Sequence, residues 1–145
     1  MPRAVLDTNA LVSALISPHG ASAQLLVEFA QLLVELRAGA FELVVSPTLL
    51  GELGEVLRRP KFRPYLSKPE IDAYVELTRR ESVVLEDPAP SSEPLGADPD
   101  DEYLIDLARA AGVDALVSGD AHLLALRGLV PVMSTREFFE SLGNP

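Results

Sequence analysis

Arg3-Ala4-Val5-Leu6-Asp7-Thr8-Asn9 decides how this chain is read: a short apolar run stops at an aspartate, and a helical pattern from Ala10 to Ile16 follows at once. Such a run, bounded by polar turn residues, reads as a buried strand. The arrangement returns far down the chain in Asp114-Ala115-Leu116-Val117-Ser118-Gly119-Asp120. Working outward, Phe41–Val45, Val83–Leu85 and Leu129–Met133 supply three more strands. Helices are expected from Ser22 to Ala38, closing at Gly39, and from Pro47, capped by Ser46, to before Pro60. Further helices are expected over Lys68–Arg80, Asp100–Ala111 with Gly112 as its cap, Ala121–Leu126 and Thr135–Leu142. Strands alternating with helices imply an α/β fold, three layers α/β/α around a five-stranded parallel sheet. The proline-rich stretch Glu86–Pro99 is then a surface connection, and residues 1–145 form one domain.

In such sheets ligands sit outside the carboxyl ends of the strands. Asp7 and Asp120 both occupy carboxyl ends, and two further acids aim the same way. Glu52 shares a helical face with Leu49 and Val56, whereas Glu55 is expected to be the solvated acid. Asp101 leads the stripe Leu104, Ile105, Ala108; its neighbours Asp98 and Asp100 read as solvated or capping acids, either of them able to reach the metal through water. Singly, each of the four could be a helix cap or an acidic first turn. Together they would repel, by roughly 4 kcal/mol for a pair about 4 Å apart at an effective dielectric of ~20. A divalent cation relieves that repulsion, and oxygen-only donors point to Mg²⁺ or Mn²⁺. Asn9 and Ser118 are the expected supporting groups, Asn9 orienting the Asp7 carboxylate and Ser118 hydrogen-bonding to the metal or a phosphate.

The chain has 145 residues, 48% hydrophobic and 23% charged, which is ordinary globular composition. With no cysteine, disulfides and thiolate zinc are excluded. Two histidines, His19 and His122, are too few for a histidine-rich metal site, and His122 reads as structural. No apolar run is long enough for a membrane span, and Met1-Pro2-Arg3 leads into a strand rather than a signal peptide. A soluble, intracellular and hence cytoplasmic protein is expected.

The net charge of −10 argues against a nucleic-acid binder, but several negative charges belong to the expected metal site. The positive charges are uneven: Arg58, Arg59, Lys61 and Arg63 lie close together, with Phe62 and Tyr65 among them. They suit either a helix carboxyl terminus or contact with backbone phosphates. Gln24-Leu25-Leu26-Val27-Glu28 recurs as Gln31-Leu32-Leu33-Val34-Glu35, so this helix is apolar around much of its circumference. It needs a second burial surface, and a homodimer contact is expected there.

The ordered set of these strings resembles the PIN domain, the metal-dependent ribonuclease fold shared by VapC-like toxins of toxin–antitoxin pairs. The resemblance rests on Leu6-Asp7-Thr8-Asn9, on Ser46-Pro47 followed by Glu52, on Asp98-Pro99-Asp100-Asp101 opening a helix, and on Val117-Ser118-Gly119-Asp120. Arg58-Arg59-Pro60-Lys61-Phe62 is similar to the single-domain toxin subgroup. The resemblance implies an acidic pocket of Asp7, Glu52, Asp101 and Asp120 holding one or two Mg²⁺ or Mn²⁺ ions, with Asn9 and Ser118 supporting. It also implies single-stranded RNA as substrate, a homodimer and an antitoxin partner.

Three other readings compete. An aspartyl phosphatase would need a second aspartate where Asn9 stands. A response-regulator receiver would need a late lysine, and Lys68 is the last one. A catalytically silent module of the same family, binding RNA or protein, is the alternative to the enzyme.

Overall fold

The computed structural model describes residues 1–15, 31–95 and 98–143. Within them β1 (Arg3–Leu6), β2 (Glu42–Val45), β3 (Val83–Val84), β4 (Ala115–Val117) and β5 (Val132–Met133) form one sheet in the order β3-β2-β1-β4-β5. Every pairing is parallel, as the alternation of elements requires. The described helices are α1 (Thr8–Leu15), α2 (Gln31–Arg37), α3 (Pro47–Leu57), α4 (Lys68–Arg80), α5 (Pro99–Ala111), α6 (Ala121–Leu124) and α7 (Thr135–Gly143). They flank the sheet and complete the expected three layers.

The strand order reverses between β1 and β4. From β1 the chain steps outward to β2 and β3, then returns to β4 and on to β5. Right-handed crossovers therefore put α1 to α4 on one face and α5 and α6 on the other. Leu6 pairs with Val117, so β1 and β4 finish side by side. Their carboxyl ends, with Asp7 and the Ser118–Asp120 turn, meet at the switch point.

Local chemistry sets the helix bounds. Ser46 caps α3 by accepting the Leu49 N–H at 3.3 Å, and Pro47 supplies a first-turn residue that needs no donor. Ser67 and Glu70 form a capping box at the start of α4. Gly112 ends α5 in the left-handed region at φ 59°, where a side chain would be strained. The faces these helices present are apolar: Leu11, Leu49, Leu53 and Ile105 are fully buried beside Leu6, Leu43 and Leu116. Tyr74, also fully buried, donates to the Leu11 carbonyl at 2.9 Å and so ties α4 to α1.

Several bounds differ from expectation. Of the helix expected over 22–38, only Gln31–Arg37 lies within the described residues; the Ser22 cap and the first copy of the heptad lie outside them. In the second copy Leu32 and Leu33 are buried, as is Leu36 beyond it, while Val34 is 45% exposed. The strand expected over Leu129–Met133 shrinks to Val132–Met133, and α6 stops at Leu124 instead of Leu126. The cause is a turn: the Leu129 and Val130 amides both donate to the Leu126 carbonyl, which diverts the backbone from pairing and leaves Leu129 69% exposed.

Candidate active site

Asp7 follows β1 directly and is only 7% exposed. Its Oδ1 accepts the Ala10 N–H at 2.8 Å, capping α1, and its Oδ2 accepts a short hydrogen bond from the Ser118 hydroxyl. Ser118 is fully buried at the end of β4, and its Oγ also accepts the Asp120 N–H at 3.0 Å. One hydroxyl thus joins Asp7 to the turn that carries Asp120. Ser118 therefore holds a candidate metal ligand, while its own burial leaves no surface open to a phosphate. Burial pushes the Asp7 carboxyl above its ordinary pKa; the bonds from Ser118 and Ala10 oppose that rise, and the charge of Asp120 adds to it.

Asp120 is half-buried and caps α6, its Oδ1 accepting the His122 N–H at 2.9 Å. Asp101 opens α5 and is 8% exposed, on the stripe of Leu104, Ile105 and Ala108 as expected. Burial raises its pKa first; the charges of Asp120 and Asp98 raise it further, nearby His122 lowers it, and Asp7 raises it again. Glu52, on α3, is half-buried and accepts a hydrogen bond from the Thr8 hydroxyl at 3.1 Å. Asn9 is exposed beside these groups, while the partners of the Asp7 oxygens are Ala10 and Ser118. His122, expected to be structural, is exposed on the first turn of α6.

All four expected acids and Asn9 line one cavity of about 400 Å³. Two acids read as solvated, Glu55 and Asp100, line it as well, and Arg59 is the basic residue of its wall. The donor chemistry fits a hard divalent cation, since the polar lining offers oxygen but neither imidazole nor thiolate. The spacing is looser than the chemistry: among the described residues no three His, Cys, Asp or Glu side chains stand together as a ready metal-binding group. Asp7, Asp120 and Glu52 each turn oxygens onto protein donors. Asp7, Asp101, Asp120 and Glu52 are the residues that could hold an ion once those side chains rotate toward a common centre.

The four bases of the cluster make different contacts. Arg58 pairs with Asp72 at 2.8 Å and is half exposed. Lys61 places its ammonium 5.0 Å from the centre of the Phe62 ring. Arg63 is exposed, and Arg59 alone of the four lines the cavity.

Sequence reasoning missed two groups. Thr8 has no local signal for its bond to Glu52, which lies 44 residues away. Tyr103 reads as one more residue of α5, yet its hydroxyl meets Ser46 and Asp87.

A family model described as PIN domain matches residues 3–122, a span that contains all four acids. No curated protein matches the chain.

Proposed function

Because this chain belongs to the PIN-domain family, whose members are commonly nucleases, we propose that it is a Mg²⁺- or Mn²⁺-dependent endoribonuclease. Its substrate in this reading is single-stranded RNA, and its role is that of the toxin in a toxin–antitoxin pair. One observation carries the proposal: Asp7, Glu52, Asp101 and Asp120, from four separate elements, line a single cavity at the strand-order reversal.

An ion held there supplies Lewis acidity toward water and a phosphodiester oxygen. The protein's own groups do the rest. Ser118 holds Asp7 and Thr8 holds Glu52, so these two carboxylates stay at the cavity wall until an ion draws them toward a common centre. Arg59 meets a phosphate oxygen of the substrate at the cavity wall. Lys61 and Arg63 extend that contact along the backbone, giving affinity that falls with salt and carries little base preference. Arg58, committed to Asp72, contributes less than its neighbours.

The test is cleavage of a generic single-stranded RNA by purified protein with Mn²⁺. Asp7→Asn and Asp101→Asn should each abolish it while the fold persists. Cleavage that survives both substitutions would assign the activity to a contaminant.

A second reading, a silent module that binds RNA or protein, draws on the loose spacing of the carboxylates among the described residues. Absence of both Mn²⁺ binding and cleavage would favour it. The homodimer and the antitoxin belong to the proposal too. Sedimentation showing only monomer at micromolar concentration would remove the first; a short basic DNA-binding protein encoded next to this chain would support the second.

A further inference from the structure

We infer that the Tyr103 hydroxyl is a positioning group for the acidic cavity, clamping the helix that carries Asp101 to the start of the helix that carries Glu52. The inference rests on the nuclease reading above.

Tyr103 lies two residues after Asp101 on α5, with its side chain half-buried. Its hydroxyl donates to Asp87 Oδ1 at 2.8 Å and is hydrogen-bonded to Ser46 Oγ. Ser46 is fully buried, and its Oγ also accepts the Leu49 N–H at the cap of α3. Asp87 Oδ1 also accepts the Thr48 N–H at 3.2 Å. A carboxylate thereby sits at the amino terminus of α3, where the helix dipole favours it.

Three segments meet at this phenol: the second turn of α5, the cap of α3, and the chain leaving β3. The two helices pack on opposite faces of the sheet, which separates them across the core; beyond the strand ends, at the cavity rim, the Tyr103 contacts join them directly. Glu52 is near enough to Tyr103 for its charge to bear on the phenol. Losing the hydroxyl leaves Asp87 and Ser46 without their shared partner and frees α3 to move against α5. The Tyr103 hydroxyl touches none of the four acids itself, so its effect on them runs through the placement of α3 and α5.

The experiment is calorimetric titration of the full chain with Mn²⁺, alongside kcat and KM on single-stranded RNA and a melting curve in chelator. Tyr103→Phe should weaken Mn²⁺ binding several-fold and lower kcat, while KM stays near the wild-type value. Asp87→Asn should move the same quantities in the same direction. Tyr74→Phe is the control, because the Tyr74 hydroxyl also ties two helices but to the carbonyl of Leu11, which does not line the cavity. It should lower the melting temperature without changing Mn²⁺ affinity. If Tyr103→Phe binds Mn²⁺ like the wild type and loses only melting temperature, the positioning role is overturned. If the wild type itself takes up no Mn²⁺, the nuclease reading fails first and this inference goes with it.

Discussion

The buried hydroxyl of Ser118 donates to Asp7 Oδ2 across 111 residues of sequence, joining the ends of two neighbouring parallel strands. Ser118 Oγ also accepts the Asp120 N–H, so a residue with no access to solvent ties together two of the cavity's acids.

Ser118→Ala removes that tie without adding volume. The fold should persist, destabilised by about 1–2 kcal/mol as Asp7 and the Asp120 amide lose a buried partner. Because Ser118 holds the Asp7 pKa down, its loss should move the acid limb of the RNA-cleavage pH profile to higher pH. Cleavage rates across the pH range, with a melting curve, check both parts.

Asp7→Asn and Asp101→Asn should each raise the melting temperature of the metal-free protein. Both carboxyls carry raised pKa values from burial and from neighbouring charge, so the ionised forms oppose folding. A gain of about 2–4 °C is expected, the shift that ~1 kcal/mol produces in a domain of this size. A clear fall for both variants, measured in chelator, would count against mutual repulsion among these groups.

The pH dependence has a defined sign. A carboxyl whose pKa is higher folded than unfolded binds its proton more tightly in the native state. The stability this confers is complete below the unfolded value of about 3.9 and is lost as pH rises through the raised folded value. The melting-temperature advantage of Asp7→Asn over the wild type should therefore widen as pH increases from about 4. Mn²⁺ affinity should rise through the same window, because the ion competes with those protons. An advantage that is flat with pH would refute the assignment to Asp7.

Arg59 and Arg58 should part company despite being adjacent. Arg59→Ala should weaken single-stranded RNA binding several-fold and reduce the salt slope by about 0.7, the value for one phosphate contact on a single strand. Arg58→Ala breaks an exposed ion pair with Asp72, worth roughly 0–1 kcal/mol, and should leave the slope near that of the wild type. Filter binding across a salt series separates the two.

Much of the fold is legible locally. The Arg3–Leu6 run ending at Asp7, the Ser46-Pro47 helix start and the Gly112 stop are each encoded within a few residues, and the structure has all three where the sequence puts them. The fifth strand was overestimated because Leu129 and Val130 are apolar; their amides belong to a turn on Leu126, which periodicity does not reveal. Among the acids, the buried position of Asp101 followed from its place on the apolar stripe of α5. The cavity-lining positions of Glu55 and Asp100 did not, since an acid beside a cavity and an acid in bulk solvent have the same spacing in sequence.

By itself the sequence determined the alternation of strands and helices, the parallel sheet that follows from it, and which strands end in carboxylates. Those are short-range matters, settled by apolar runs, caps and turns. Tertiary structure alone decided that Ser118 turns to Asp7, that Thr8 holds Glu52, that Tyr103 meets Ser46 and Asp87, and that Arg59 rather than Arg58 reaches the cavity. Each of the three hydrogen-bonded contacts joins segments that meet only when parallel strands align in register, and the choice between two adjacent arginines turns on the way α3 ends against its neighbours, so none of these outcomes leaves a mark in local sequence.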